Sequence, residues 1–237
     1  MSEEQAPTVA IVDYGMGNLF SVEQACRHIG LNGIITTSPD DLAKSDGVIL
    51  PGVGAFGDAM EALHSLGLVE LLREIGASDK PLMGVCLGMQ LLMTESYEFG
   101  HCTGLGIIDG SVLRIEDESL KVPQVGWNSI SVPVTIDWDA PPKYSQENPW
   151  ENTNLAGLED GEYMYFVHSF YVKPDDPTAV LATSQYGDLE FCSSINYRNI
   201  FACQFHPERS GPQGLQIYGN LANLWQSETP SENTLNA

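Results

Sequence analysis

Residues 81–93 read PLMGVCLGMQLLM, and no other stretch of the chain says as much about the fold. The first half is short, apolar and typical of a buried strand, whereas residues 89–93 are helix formers. Cys86 lies on the turn between them, at the N-terminus of the predicted helix, where unpaired backbone N–H groups favour a thiolate. Gly84 and Gly88 flank this turn and leave room for a substrate. The pattern predicts a strand–turn–helix elbow with a cysteine nucleophile; a glycine-rich packing turn is the simpler alternative.

A second motif lies far downstream, where residues 204–208 read QFHPE after another apolar run. His206 and Glu208 are two positions apart, so their side chains point the same way if the chain is extended. A cysteine, a histidine base and a carboxylate that orients the base form a nucleophilic triad. A His-Pro-Glu sequence alone is more often a loop with a structural histidine. Together the two motifs predict that Cys86, His206 and Glu208 cleave an amide, with His206 passing a proton to the leaving amine.

Attack on a carbonyl creates a negative oxygen, which needs two preorganised hydrogen-bond donors. The backbone N–H of Leu87, next to the nucleophile, and that of Val53, in the glycine-rich turn 51–57, are the expected donors of this oxyanion hole. Ligands of α/β proteins bind at the carboxyl ends of strands, so turns 13–18 and 51–57 should meet the Cys86 elbow. Glycines on both sides of Val53 leave its peptide easy to rotate. We expect the oxyanion hole to be incomplete at rest and completed by a partner.

Strand-like and helix-like segments alternate between residues 9 and 93, which predicts a parallel sheet with helices on both faces. Strand-like runs dominate between residues 106 and 205, including 163–172 as one run, and indicate a mixed or antiparallel section. We expect one α/β domain over residues 1–237.

Two segments are predicted to lie outside the core of this domain. Residues 139–154 are polar and rich in proline and asparagine, which is typical of a surface loop or insert. Residues 227–237 are polar and expected to be frayed.

Composition restricts the classes of partner. The chain has 32 acidic and 10 basic residues and a net charge of −22, which argues against nucleic acid and against an anionic membrane. The number of cysteines is odd, at five, and no C-x-x-C occurs, which favours a reducing compartment such as the cytoplasm. The first residues are acidic and polar, unlike a secretion signal, and no apolar run approaches the length of a membrane span.

Six stretches together resemble the class I glutamine amidotransferases: residues 13–19, 51–57, 84–92, 122–128, 166–169 and 204–210. The cysteine turn and the His-Pro-Glu motif fit the whole family. The first two stretches, with Gly126-Trp127-Asn128, resemble more narrowly the glutaminase subunits of imidazole glycerol phosphate synthases. The resemblance spans residues 9 to 225 and implies that family's fold, a central, mostly parallel sheet flanked by helices with an additional mixed or antiparallel section.

The resemblance also implies an activity, the hydrolysis of glutamine to glutamate and ammonia through a thioester on Cys86. It implies no cofactor and no metal. The residues that fall where the family binds glutamine are Gln90 and Glu98, with backbone contacts from Gly52, Ser169 and Phe170.

In this family ammonia passes through the core of a (β/α)8-barrel cyclase, which is the partner within a heterodimer. There it reacts with a phosphoribulosyl formimino carboxamide nucleotide and yields imidazole glycerol phosphate and aminoimidazole carboxamide ribotide, in histidine biosynthesis. Asn18, Trp127 and Arg209 fall where the family contacts that partner. The residues alone leave other interpretations open, because an asparagine also caps helices and a tryptophan more often belongs to a core.

The sequence departs from the family pattern in regions that contact the partner. Gln124 and Val125 stand where histidine and methionine are more frequent, and Arg209 stands where lysine is common. Two alternatives therefore remain, a paralogous glutaminase that feeds ammonia to another acceptor, for example in a surface-sugar pathway, and a catalytically silent regulatory module. The intact triad argues against silence.

Overall fold

The computed structural model describes residues 6–116, 119–133 and 150–227. Six α-helices occur in these residues: α1 (Leu19–His28), α2 (Pro39–Lys44), α3 (Phe56–Ser65), α4 (Val69–Ala77), α5 (Leu87–Leu91) and α6 (Gly211–Ser227). Short 3-10 helices span Pro177–Ala179 and Pro207–Arg209. No helix in the described part of the chain is both long enough and apolar enough to cross a membrane.

The described residues form thirteen strands. They are β1 (Thr8–Val12), β2 (Asn32–Thr36), β3 (Gly47–Gly52), β4 (Leu82–Cys86), β5 (Met93–Ser96), β6 (Cys102–Thr103), β7 (Ile108–Arg114), β8 (Gln124–Ser129), β9 (Tyr163–His168), β10 (Phe170–Pro174), β11 (Val180–Tyr186), β12 (Leu189–Tyr197) and β13 (Ile200–Cys203).

Eleven of these strands form one sheet in the order β2-β1-β3-β4-β13-β12-β10-β7-β5-β6, with β11 paired to β12. The first five are mutually parallel, as the alternation of strands and helices predicts for the four that lie before residue 93. Strand β12 pairs antiparallel with β13 and β10, and β10 pairs antiparallel with β7, whereas β7 pairs parallel with β5. Strand β4 therefore lies inside the parallel part, between β3 and β13. Its carboxyl end, where Cys86 stands, opens at the edge where ligands bind in such sheets.

The hydrophobic core lies on both faces of this sheet. Alternate residues of β1 enter different clusters, Ala10 and Val12 in one and Val9 and Ile11 in the other, because successive side chains of a strand point to opposite faces. Helices α2, α3 and α4 cover the first face, and α1 and α6 cover the second. The predicted α/β architecture is confirmed.

The apolar run over residues 163–172 is not one strand as the sequence suggests. It divides at Ser169 into β9, which pairs with β8 in a separate two-stranded sheet, and β10, which belongs to the main sheet. Both strands are apolar, so composition gives no sign of the break. The change of sheet brings the backbone of Ser169 and Phe170 to the carboxyl end of β4.

The prediction that residues 139–154 form a surface loop or insert is wrong at the end of this segment. Residues 134–149 lie outside the described residues, but Trp150 is 1% exposed, and Thr153 and Asn154 are also buried. The indole Nε1 of Trp150 donates a hydrogen bond to the Leu181 carbonyl oxygen (3.0 Å), so this tryptophan belongs to the core. The tail predicted to fray begins at Ser227, which is the last residue of α6. The rest of this tail, residues 228–237, lies outside the described residues.

Candidate active site

Cys86 occupies the turn between β4 and α5, as predicted. Helix α5 starts directly after it, at Leu87, and is only five residues long. It therefore begins and ends two residues earlier than the helix predicted over 89–93, and Met93 is the first residue of β5. The backbone of Cys86 has φ +54° and ψ −109°, a conformation that few non-glycine residues adopt. It turns the side chain toward the cavity at the end of the strand, and only 5% of the residue is exposed.

The glycines beside Cys86 are required by close packing. A Cβ at Gly88 would overlap the Leu50 carbonyl oxygen of β3, and a Cβ at Gly84 would lie 3.0 Å from the Met89 backbone nitrogen. These contacts let α5 lie directly against β3 and β4, which holds the N-terminus of the helix beside the cysteine.

Replacing Gly88 with alanine should therefore destabilise the protein by about 3 kcal/mol, the upper range for inserting atoms into a packed core. Gly57 is the matched control, because it lies in helix α3 and a Cβ there would meet no atom within 4 Å. Gly57→Ala should leave the free energy of unfolding unchanged or slightly higher. Urea denaturation of both variants measures the difference; equal stabilities would show that the turn relaxes freely.

His206 and Glu208 form a buried pair on the turn after β13. The Nδ1 atom of His206 lies 2.8 Å from Oε1 of Glu208, and the two side chains are 4% and 2% exposed. Burial acts to lower the pKa of His206, but the neighbouring Cys86 sulfur and the Glu208 carboxylate outweigh it and raise that pKa to about 10. The raised pKa favours the protonated form of the ring, for which Glu208 is the counter-charge.

The second nitrogen of His206 faces the cysteine side. Nε2 makes no hydrogen bond of standard geometry among the described residues, yet the Cys86 sulfur lies close enough to affect the pKa of the ring. Catalytic hydrogen bonds are often long before a substrate binds. The structure thus brings together Cys86, His206 and Glu208, which are far apart in sequence.

A cavity of about 250 Å³ opens at Cys86, a size suited to a ligand smaller than most drugs. It is lined by Val53, Gly54, Cys86, Leu87, Gln90, Glu98, Pro123, Val167, His168, Ser169 and Phe170. Four of the five residues predicted to bind glutamine and both predicted oxyanion-hole residues are in this lining. Gly52, the fifth, pairs with Cys86 between β3 and β4, and a Cβ at this position would overlap the Tyr14 hydroxyl group.

Two polar side chains in the cavity are held by backbone groups. Glu98 accepts a hydrogen bond from the N–H of Phe56 at the start of α3 (2.6 Å), where the helix dipole favours a carboxylate. The Gln90 amide nitrogen donates to the Phe170 carbonyl oxygen (3.0 Å). The cavity therefore offers one fixed negative charge and one fixed amide. Among the described residues, no group of three or more His, Cys, Asp or Glu side chains could hold a metal ion.

The residues predicted to meet a partner lie near the His-Pro-Glu turn. The Arg209 guanidinium stacks over the Tyr165 ring at 4.5 Å, and Trp127 meets the same ring edge-on at 6.2 Å. Asn18 accepts a hydrogen bond from the N–H of Ser21 (3.4 Å) and so caps α1, which packs against the Pro207–Arg209 turn. Trp127 is 57% exposed, so the core alternative for this tryptophan is wrong.

Sequence reasoning missed two residues of this region. Tyr165 connects Trp127 to Arg209, and Gln204 donates from its amide nitrogen to the Cys86 sulfur at 3.6 Å. Gln204 lies within the motif that contains His206, directly after a buried strand. That position could have indicated that its side chain lies near Cys86. Nothing in the sequence around Tyr165 distinguishes it from other residues of an apolar strand.

Comparisons with known proteins agree on the family. The family model "Glutamine amidotransferase class-I" matches residues 10–222. The imidazole glycerol phosphate synthase subunit HisH of Geobacter metallireducens is 43% identical over 221 residues, which cover 91% of this chain and 97% of that protein. The subunit HisH of Chlorobaculum tepidum is 41% identical over 216 residues, which cover 91% of this chain and all of that protein (100%).

Solved structures resemble this fold at low sequence identity. A glutamine amidotransferase from Thermotoga maritima has a TM-score of 0.61 at 14% identity and covers 97% of this chain and 100% of its own. PurLQS from Thermotoga maritima has a TM-score of 0.67 at 18% identity, with coverage of 92% and 98%. At such identities the likeness shows the fold alone.

Proposed function

Because this chain belongs to the class I glutamine amidotransferases and, within them, to the family of the imidazole glycerol phosphate synthase subunit HisH, we propose that it hydrolyses glutamine with a Cys86–His206–Glu208 triad and delivers the ammonia to a cyclase partner. One observation carries the proposal. Cys86 lies on a strained turn in the lining of a cavity, beside a buried, hydrogen-bonded histidine–glutamate pair.

The first half of the reaction forms a thioester. The Cys86 sulfur attacks the side-chain amide carbon of glutamine, and the carbonyl oxygen becomes negative. The backbone N–H groups of Leu87 and Val53 stabilise this oxyanion. When the tetrahedral intermediate collapses, the C–N bond breaks and His206 gives its proton to the departing nitrogen, which leaves as ammonia.

The second half releases glutamate. His206, now neutral, accepts a proton from water, and the resulting hydroxide attacks the thioester carbon. The C–S bond breaks and the sulfur regains its negative charge, while the proton taken from water remains on His206. The new carboxyl group gives its proton to solvent, and the product leaves as glutamate. Glu208 stabilises the charged ring in both halves through its 2.8 Å contact with Nδ1.

In this proposal the cavity binds the polar groups of free glutamine. Glu98 supplies a negative charge for the α-ammonium group, and the backbone of Ser169 and Phe170 in the lining, with that of Gly52 beside Cys86, supplies hydrogen-bonding groups. Gln90 contributes its amide. The hydrogen bond from Phe56 to Glu98 fixes the carboxylate before substrate binds.

The partner in this proposal is a (β/α)8-barrel cyclase that binds the outer face of the two-stranded sheet β8–β9. Met164, Phe166 and His168 point into the protein, and the opposite face presents apolar side chains to solvent: Val125 (55% exposed), Trp127 (57%) and Tyr163 (58%). Asn18, Trp127 and Arg209 form the contact. Ammonia then enters the barrel and is used to make imidazole glycerol phosphate and aminoimidazole carboxamide ribotide, in histidine biosynthesis in the cytoplasm.

Glutamate release tests the function directly. We expect the chain alone to release glutamate slowly, and the rate to rise strongly when the cyclase and its nucleotide ligand are added, because we expect the partner to complete the oxyanion hole. Full activity of the chain alone would favour a glutaminase with another acceptor. No glutamate release with any partner would favour the silent module.

Trp127→Ala should weaken binding of the cyclase by about 30-fold, since a buried interface tryptophan is worth about 2 kcal/mol or more. Leu66→Ala is the control, because Leu66 is a partly exposed apolar residue at the end of α3, away from the two-stranded sheet β8–β9. Titration calorimetry measures both affinities. An unchanged affinity for Trp127→Ala would place the interface elsewhere.

A further inference from the structure

Gln204 is a fully buried amide that lies between Gln90 and the nucleophile. Its Nε2 is 3.6 Å from the Cys86 sulfur, and its Oε1 accepts a hydrogen bond from the Gln90 Nε2 at 3.0 Å. Its own backbone N–H donates to the Ser193 carbonyl oxygen (2.9 Å), so the sheet determines where the side chain starts.

The orientation of both amides follows from the end of this hydrogen-bond chain. The Phe170 carbonyl oxygen only accepts, so the Gln90 side chain must turn its nitrogen toward it. The same Gln90 nitrogen also faces Gln204, which must then present its oxygen. The NH₂ group of Gln204 is left facing the Cys86 sulfur. His168 adds a second hydrogen bond to Phe170, from Nδ1 at 2.9 Å, and so fixes the carbonyl group that starts the chain.

We propose that Gln204 is a further catalytic residue, whose amide donates a hydrogen bond to the Cys86 sulfur and stabilises it as a thiolate, while Gln90 is a positioning residue that holds this amide. The inference rests on the proposed glutaminase function. A hydrogen bond to the charged form of a group favours that form. The opposing contact is the Val167 carbonyl oxygen, 3.8 Å from the sulfur, to which only a protonated thiol can donate.

In the part of the chain that the structure describes, six other groups that carry charge or titrate face the sulfur or its cavity. They are His206 and Glu208 from the turn after β13, Cys203 from β13, Tyr14 from the β1–α1 turn, and Glu98 and His168 in the cavity lining. Of these, His206 in its protonated form favours the thiolate. Gln204 adds a neutral donor on a different side chain, and Gln90 connects that donor to the cavity where glutamine binds.

The test measures the reactivity of Cys86 without substrate or partner. The rate of its alkylation by iodoacetamide is followed from pH 5 to pH 10 in a Cys102→Ser background, with the modified peptide identified by mass spectrometry. Cys102 is the one cysteine of intermediate exposure, and the other four are buried. Burial raises the pKa of the Cys26 thiol to about 12 and raises the pKa of the Cys192 and Cys203 thiols well above the usual range, so these three thiols react little.

Two variants remove the donor in different ways. Gln204→Met keeps the length of the side chain and should move the midpoint of the pH–rate profile upward by about one pH unit, the shift expected for one hydrogen bond to a charged group. Gln204→Glu keeps the shape and places a negative charge beside the sulfur, so its midpoint should move further. If Gln204→Met fails to fold, the isosteric Gln204→Glu variant decides alone.

Two further variants serve as controls. Gln216→Met changes a glutamine on α6 that bonds to the Ala156 carbonyl oxygen and should leave the midpoint unchanged. Gln90→Met should move it by less than Gln204→Met, and adding Gln90→Met to Gln204→Met should move it no further.

The outcomes separate this inference from the proposed function. An unmoved midpoint in folded Gln204→Met and Gln204→Glu proteins would overturn the role of Gln204, even if the chain hydrolyses glutamine. A shifted midpoint in a chain that never hydrolyses glutamine would keep the bond between Gln204 and the sulfur, but would reject both the glutaminase and a catalytic role for this residue.

Discussion

Cys86→Ala should abolish glutamine-dependent synthesis by the complex with the cyclase, by about 10⁵-fold or more, because no other group can form the thioester. Synthesis from added ammonium salts should remain within twofold of the unmodified complex. Ammonia enters that reaction after the step that Cys86 performs, and the smaller side chain leaves the interface untouched. The measurement is the initial rate of product formation with glutamine and, separately, with ammonium chloride.

Cys102→Ala makes the same chemical change at a cysteine outside the cavity and should change neither rate. Two results would contradict the assignment of Cys86. Glutamine-dependent synthesis that survives the substitution would mean another nucleophile, and loss of the ammonium-dependent reaction as well would make Cys86 a structural residue of the complex.

Glu208→Gln should lower kcat for glutamine hydrolysis by about 10³- to 10⁴-fold, as expected when the carboxylate of a triad becomes an amide. The variant keeps the size of the side chain and its place on the turn, but His206 loses its counter-charge. The pKa of His206 should fall, since an anion at 2.8 Å is one of the groups that raise it. Steady-state glutamate release measures kcat, and NMR titration of the ring measures the pKa.

The control is Glu61→Gln, which changes an exposed glutamate of α3 and should retain full activity. A Glu208→Gln enzyme with unaltered turnover would remove Glu208 from the mechanism and leave a Cys86–His206 pair. A large loss of thermal stability together with lost activity would mean instead that Glu208 mainly holds the turn.

Local sequence patterns were sufficient to predict the central part of the site. The elbow at Cys86 depends on neighbours within a few residues, namely an apolar strand, two glycines and helix formers. The alternation of His206 and Glu208 is likewise local. Strands β4 and β13 then lie side by side, and this parallel pairing brings the two motifs together.

Other features depend on contacts that no local pattern records. The strand break at Ser169 occurs inside a continuous apolar run, because β9 and β10 pair with different sheets. Trp150 is buried although residues 151–154 are polar, and its indole donates a hydrogen bond to the backbone of β11. Gln204 contacts Cys86 only because of how β13 lies beside β4 and α5. These are consequences of tertiary packing.

The backbone of Cys86 has a thermodynamic consequence for the whole molecule. A side chain held at φ +54° and ψ −109° costs on the order of 1–3 kcal/mol, which is a sizeable part of the margin that separates a typical folded domain from its unfolded chain. Glycine would relieve that cost, but it carries no sulfur. Selection for turnover and selection for thermal stability therefore oppose each other at this single position. The packing of the surrounding sheet must stabilise the fold by more than this local cost.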